Sequence, residues 1–492
     1  MALNLNAIKT PGVYIDEVSL LPPGVAPVET AVPAFVGYTE MNPSGDNVPV
    51  LITSFLEYME MFGGPQSPTD LSIAVTVRDT FEDVFTDPTD PTTYVESKLI
   101  TRSVTANPPI RPMHNLFFAV RHYFANGGSK CYIVSVSTTL GAVSDSDLVD
   151  GINALEQEDE PTLIVVPEAY NLSDSGYNNV YSTALNQCNK LKDRFTIIDV
   201  RQAQPSPSSS QALADITNFQ TNASLGDYGL YGAAYYPYLE TTIDFEFDSS
   251  EESQIGITYQ KVLADGSASL APGTVGADLG AVTSDLLRKQ IETAIRDISI
   301  ILPPSPAIAG IYARVDNDRG VWKAPANVSV GAIVGPMVKI TDTIQDVMNI
   351  DPNGGKSVNA IRAITGRGIL VWGARTLAGN DNEWRYVSVR RFFNFVEESV
   401  KKATYRFVFE PNDANTWVKI RGMIENFLTL QWSLGALQGS KPEQAFFVRV
   451  GLGQTMTADD ILNGRLIVEI GMAVVRPAEF IILRFMHKLP EA

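Results

Sequence analysis

Asp318-Arg319-Gly320-Val321-Trp322-Lys323-Ala324-Pro325-Ala326-Asn327 opens the stretch on which the rest of the chain is organised. Three more phrases follow it: Gly366-Arg367-Gly368-Ile369-Leu370-Val371-Trp372-Gly373-Ala374-Arg375-Thr376, Trp384-Arg385-Tyr386-Val387-Ser388-Val389-Arg390-Arg391, and Phe409-Glu410-Pro411-Asn412-Asp413. Trp, Arg and Gly crowd together here. Glycine lets a large ring come close to backbone. A guanidinium beside such a ring can stack on it or fork onto a carboxylate. None of the phrases has the layout of a reaction centre.

Downstream, Ser388 is expected to cap a helix with Val389, Phe392, Phe393, Val396 and Val400 as its buried stripe. Thr404–Glu410 reads as a strand. Asn415 opens a long helix with Trp417, Ile420, Met423, Ile424, Phe427 and Leu428 inward. Phe446–Val450 reads as a strand, and Arg465–Val474 alternates with period two. Glu479–Met486 is apolar on both faces, so it needs a partner above and below.

Upstream, Val13-Tyr14-Ile15-Asp16-Glu17-Val18 is β-prone and follows the helix breakers Pro11 and Gly12. Val32–Tyr38 reads as a buried strand and Ser54–Phe62 as a capped helix. Residues 64–115 are rich in Pro, Thr and Asp and read as a surface insertion or long loop, closed by a helix over His114–Phe124. The period then alternates: strands Cys131–Val136, Thr162–Pro167, Phe195–Val200 and Leu230–Tyr236, with helices Asp147–Gln157, Asn178–Lys192 and Gln211–Thr221 between them. This pattern predicts a mostly parallel sheet with covering helices. Residues 240–280 are acidic, then Gly-rich, and read as an exposed hairpin or flap. Helices are expected over Ser284–Asp297 and after Pro306. The fold class is α/β, α+β overall.

Charge is unevenly placed. Residues 1–280 carry 12 Lys+Arg and 35 Asp+Glu, a balance of −23, and the remainder is +4. So acidic a leading half argues against nucleic-acid binding, which needs a basic footprint. Met1-Ala2-Leu3-Asn4-Leu5-Asn6 does not read as a signal peptide, and no apolar run has the length to span a bilayer. The two cysteines, Cys131 and Cys188, are expected to be buried thiols of a cytoplasmically made protein.

Histidine occurs three times, at His114, His122 and His487, and no nucleophile elbow accompanies them. Gly354-Gly355-Lys356-Ser357 imitates the end of a phosphate loop, but Ile350 stands where its first glycine belongs, and a turn precedes it. No catalytic residue, cofactor or metal site is expected. An α/β hydrolase or nucleotide-binding enzyme stays open as an alternative, as does a surface adhesion module built on the acidic insertions.

The four opening phrases continue through Gly435-Ala436-Leu437-Gln438-Gly439, Asn463-Gly464-Arg465-Leu466-Ile467-Val468 and Val475-Arg476-Pro477-Ala478-Glu479-Phe480. With Thr10-Pro11-Gly12-Val13-Tyr14-Ile15-Asp16-Glu17-Val18 at the start, this series resembles the contractile tail sheath proteins of phage tails, R-type pyocins and related injection machines. The resemblance marks Arg319, Gly320, Trp322, Pro325, Gly366, Arg367, Gly368, Trp372, Arg375, Arg390, Arg391, Glu410 and Pro411 as core-motif residues. It implies stacked six-fold rings around an inner tube, closed by baseplate and terminator proteins, in a phage tail or tail-like particle. It also implies that both chain ends add strands to neighbouring copies, through Val13, Tyr14, Ile15 and Val18 at one end and Phe480, Ile481, Ile482, Leu483 and Phe485 at the other. The implied organisation is an arm over 1–24, an acidic outer α/β domain over 25–300, a sheath core over 301–475 and an arm strand over 476–492. The acidic half would face outward. Lys419 and Arg421, on the solvent side of their helix, are candidates for the tube-facing surface.

Overall fold

The structure is a computed structural model that describes residues 24–65, 73–85, 94–106, 110–139, 141–245, 249–263, 269–270, 278–352 and 354–483. The arm residues Val13, Tyr14, Ile15, Val18 and Phe485 lie outside the described residues, as does His487. The chain forms two compact units, a body of Glu29–Arg391 and a terminal unit of Phe392–Ala492 with Met1–Val28.

The body is built on a nine-stranded sheet in the order Val328–Ser329, Gly368–Trp372, Val358–Ile364, Gly232–Tyr236, Phe195–Asp199, Leu163–Val165, Pro33–Gly37, Cys131–Ser135, Pro49–Ile52. The run from Val358–Ile364 to Cys131–Ser135 is parallel, and the flanking pairs are antiparallel. Side chains alternate between two cores. Phe35, Ile133, Val165, Ile197 and Tyr235 enter one, and Ala34, Val36, Val134, Ile164, Ile198 and Tyr236 enter the other. Burial on both faces is why these strands read as short continuous apolar runs. The helices between them, Asp145–Ala154, Asp174–Leu191 and Ser209–Asn222, start at serine caps Ser144, Ser173 and Ser208.

The boundary expected near residue 301 falls inside this body. The helix Ser305–Arg319 buries Ile308, Ile311 and Tyr312 in the first core. Val358–Ile364 then joins the same sheet beside Gly232–Tyr236. The chain leaves the body only after Arg391.

Residues 64–115 correct their reading as a loop. They hold two long paired strands, Ala74–Phe85 and Tyr94–Ala106. Gly256–Leu263, from the second acidic stretch, lies parallel to Ala74–Phe85 and pairs antiparallel with Ser269–Leu270. The two insertions are therefore one four-stranded sheet. Val75 and Val77 join the body's core, while Asp79, 1% exposed, is forked by Arg102 at 2.6 Å and bonded by the Tyr259 hydroxyl at 2.9 Å.

The terminal unit packs the helices Val387–Thr404, from Phe392 onward, and Ala414–Ser433 over the antiparallel pair Phe446–Arg449 and Glu469–Met472. Three local expectations change. Ser388 lies inside its helix rather than before it. Asp413, not Asn415, caps the next helix by accepting from Thr416 N–H at 2.9 Å. Thr404–Glu410 is not a strand but a short 3-10 turn, Tyr405–Phe407, leading into a tight reversal. Its β-prone letters are exposed: Tyr405, Val408 and Phe409 all face solvent. The described part of Glu479–Met486 forms no strand within this chain.

Candidate assembly interface

Three of the four opening phrases consolidate the body. Gly320 ends its helix at φ 94°, and a Cβ there would sit 2.3 Å from the Trp322 ring, so glycine is what admits the indole. Pro325 is buried, and Arg319 is exposed. Gly366 and Gly368, at φ 75° and 82°, form the exposed tip of a hairpin with Arg367 between them. Trp372 ends the second hairpin strand, and buried Arg375 donates to the Asn349 carbonyl at 3.0 Å. Arg390 lies over the Trp384 ring at 4.4 Å. Arg391 forks onto Asp316 at 3.0 and 2.5 Å, donates to the Thr30 carbonyl at 2.8 Å and lies over the Tyr312 ring at 4.5 Å. These arginines are structural. Glu410 and Pro411 belong to the terminal unit and are exposed.

The places that imitate catalysis are also structural. Lys356 donates to the carbonyls of Gln220 and Ala223 at 3.0 and 2.5 Å, at the end of the helix Ser209–Asn222. It satisfies helix-end carbonyls instead of holding a phosphate. Glu168 accepts from the backbone N–H groups of Tyr38, Asn115 and Leu116 at 3.0, 2.9 and 3.2 Å. It serves the start of the helix Leu116–Ala125, and burial pushes its carboxyl up to about 8. Asp199 does the same for Ser305, accepting from its N–H and hydroxyl at 2.7 and 2.5 Å, with burial raising it to about 7. His122 is buried, held below its ordinary value at about 4 by desolvation, and contacts the Gly331 carbonyl at 3.2 Å. Cys131 and Cys188 are buried free thiols whose ionisation burial opposes. Among the described residues, no group of three His, Cys, Asp or Glu side chains could hold a metal ion, and no helix is long and apolar enough to cross a membrane.

The terminal unit presents something different. An apolar slot of about 980 Å³ is lined by Val396 and Val400, by Ile420 and Ile424, and by Val468, Ile470 and Met472. Phe446 and Val448, which sit opposite Met472 and Ile470, do not line it. The empty space therefore lies on the outer side of Glu469–Met472.

That outer edge has no strand beside it among the described residues. Ala473 N–H donates to the Ala445 carbonyl at 2.8 Å, and Val475 N–H to Ala436 at 3.1 Å. In an antiparallel ladder the bonded side alternates residue by residue. So Ile470, Met472 and Val474 turn their N–H and C=O groups outward, along the slot. A few residues on, Phe480, Ile481, Ile482 and Leu483 stand in solvent, 69–80% exposed. One chain thus carries an open strand edge over an apolar slot and an apolar extended segment that fills nothing of its own.

Lys419 and Arg421 are both exposed on the helix Ala414–Ser433, and Arg421 is paired with Glu425 at 2.8 Å. What the sequence reading missed was the slot and the reversal Phe407–Glu410 at its rim. The lining of the slot is drawn from segments far apart in the chain, which no short run of letters encodes.

The model of the phage tail sheath C-terminal domain family matches residues 379–487. The tail sheath protein of Enterobacteria phage T4 is 26% identical over 141 residues, 29% of this chain and 21% of that protein. The tail sheath protein of Burkholderia phage BcepMu is 28% identical over 144 residues, 28% of this chain and 30% of that protein. These matches span less than a third of the curated relatives' lengths. Full-length likeness comes from a solved structure. The helical sheath of the anti-feeding prophage, in its contracted state, is 30% identical with a TM-score of 0.62, covering 98% of this chain and 100% of that one. The chain belongs to the contractile tail sheath family. The contracted PVC sheath complex of an extracellular contractile injection system agrees, at 29% identity, TM-score 0.63 and 98% of each chain. As a sheath subunit the chain is structural. Its α/β sheet is scaffold, and no observation favours the hydrolase, nucleotide-binding or adhesion readings.

Proposed function

We propose that this sheath subunit polymerises as stacked hexameric rings around an inner tube, linked by its chain ends. The observation that carries the reading is the open outer edge of Glu469–Met472 together with the exposed segment Phe480–Leu483. Strand addition at such an edge uses backbone hydrogen bonds, each contributing about 1 kcal/mol net. It ties bodies together while letting them rotate. Residues 1–24 act as the second coupling arm. An extended arm of about 15 residues reaches about 50 Å, enough to reach another copy.

Contraction is then rigid-body repacking of subunits rather than chemistry. If each subunit buried about 300 Å² more apolar surface, about 25 cal/mol/Å² gives an upper figure of about 7 kcal/mol per subunit. Summed along a sheath, that drives the tube through a target envelope without nucleotide hydrolysis. The solved relatives include a baseplate complex of the anti-feeding prophage. Baseplate and terminator proteins are the partners that close the filament here, in a phage tail or tail-like particle. The acidic body faces outward, and Lys419 and Arg421 face an acidic tube. Neutralising those two should weaken sheath–tube co-assembly, and unchanged co-assembly would remove them from that surface.

The experiment for the main reading is truncation. Deleting residues 1–18 or 476–492 should leave soluble, folded protein that forms no sheaths by electron microscopy. Normal sheaths from both truncations would refute it.

A further inference from the structure

The reversal Phe407–Glu410 at the rim of the slot contains a residue out of place. Glu410 N–H donates to the Phe407 carbonyl at 3.1 Å, Val408 has φ −65° and ψ 128°, and Phe409 has φ 71°. This is a type II turn, and Phe409 occupies the position that takes glycine or asparagine. A bulky residue in the left-handed region is strained. Its ring gains nothing in compensation within this chain, because Phe409 is 102% exposed. Val408 and Tyr405 beside it are also exposed. Backbone strain and an aromatic ring in water are both unfavourable in the free subunit. Such strain collects at places that act on a partner.

We propose that Phe409 is a latch for assembly, held open under strain in the free subunit and closing over a strand supplied by a second copy. The occupant is the Phe480–Leu483 segment of that copy. Three observations select it. Phe409 lines the same slot as Ile470 and Met472, whose backbone groups face outward. The segment is four consecutive apolar side chains with no partner surface in their own unit. A knob, slot and tail carried by every copy form a head-to-tail contact, which propagates into a filament instead of closing as a dimer. The turn supplies a ring to cover the seated strand, and its strain makes the closed state favourable only when a strand is present. This inference rests on the strand-exchange reading and adds a control to it.

The test compares Phe409→Gly with Phe409→Ala in the full chain. Glycine removes the ring and the strain, whereas alanine removes only the ring. The free Gly variant should melt above the Ala variant by roughly 2 °C. Both variants should need at least about tenfold more protein to form sheaths. A mixture of Phe409→Cys and Ile482→Cys copies should give disulfide-linked dimers in assembled sheaths and none in free protein, with Cys131 and Cys188 buried and silent. Wild-type assembly by both variants, or no cross-link in assembled sheaths, overturns the latch. A Gly variant that melts below the Ala variant overturns the strain. If deleting 476–492 blocks assembly while the Phe409 variants assemble normally, the latch fails and strand exchange stands. If that deletion also assembles, strand exchange itself has failed.

Discussion

Consider replacing the tail side chains in alternate pairs: Ile481→Ser with Leu483→Ser in one protein, and Phe480→Ser with Ile482→Ser in another. A strand added to a sheet sends successive side chains to opposite faces. One pair therefore enters the slot and the other faces away. Each of these side chains is 69–80% exposed in the subunit, so nearly all of its burial is available to the joint. Burying one large apolar side chain contributes about 1.5–3 kcal/mol. The slot-facing pair is then worth about 3–6 kcal/mol, a factor of roughly 10² to 10⁴ in the joint's equilibrium constant. The outward pair loses only what incidental contacts supply. Neither pair should move the melting temperature of the free subunit by more than about 1 °C, because these side chains are mostly exposed there. The assay is sheath formation against protein concentration by sedimentation, with melting curves as the folding control. Equal losses for both pairs would mean that the tail binds without strand geometry. No loss for either would remove the tail from the joint. A lower melting temperature would place the tail in its own subunit's core.

Three further outcomes test the body. Asp316→Asn should destabilise it by about 3–5 kcal/mol in urea unfolding, since it leaves the Arg391 guanidinium buried without its counter-charge. Glu168 holds its proton up to about pH 8 in the fold, against an ordinary value of 4.5. The folded state binds that proton more tightly, so its contribution is complete below pH 4.5 and lost as the pH rises through 8. Glu168→Gln should therefore flatten the fall in urea midpoint between pH 5 and pH 8, and an unchanged slope would refute the assignment. Gly320→Val should cost at least about 2 kcal/mol by thermal melting, because its Cβ would meet the Trp322 ring at 2.3 Å and its φ of 94° excludes a branched residue.

The parallel sheet was legible because its strands are buried on both faces and are separated by capped helices. Cys131–Ser135, Leu163–Val165, Phe195–Asp199 and Gly232–Tyr236 fall where the alternating period puts them. The strands Ala74–Phe85 and Tyr94–Ala106 were not legible, because charged letters such as Asp79 hide the alternation. Asp79 is inward-facing but neutralised by Arg102, a partner 23 residues away that local pattern cannot supply. Thr404–Glu410 failed in the opposite sense: its apolar letters mark exposure, not pairing. Of the candidate interface, the apolar letters of the tail were readable in advance. The slot was not, since its lining is drawn from segments far apart in the chain.

The shared sheet of the two acidic insertions has a consequence for anyone rebuilding this surface. Tyr259 from one segment and Arg102 from the other both close on Asp79, so neither segment is a self-contained appendage. Trimming the second insertion alone would bare the flank of Ala74–Phe85 and take the Tyr259 hydroxyl from Asp79. A chimera built on this sheet must exchange both segments at once.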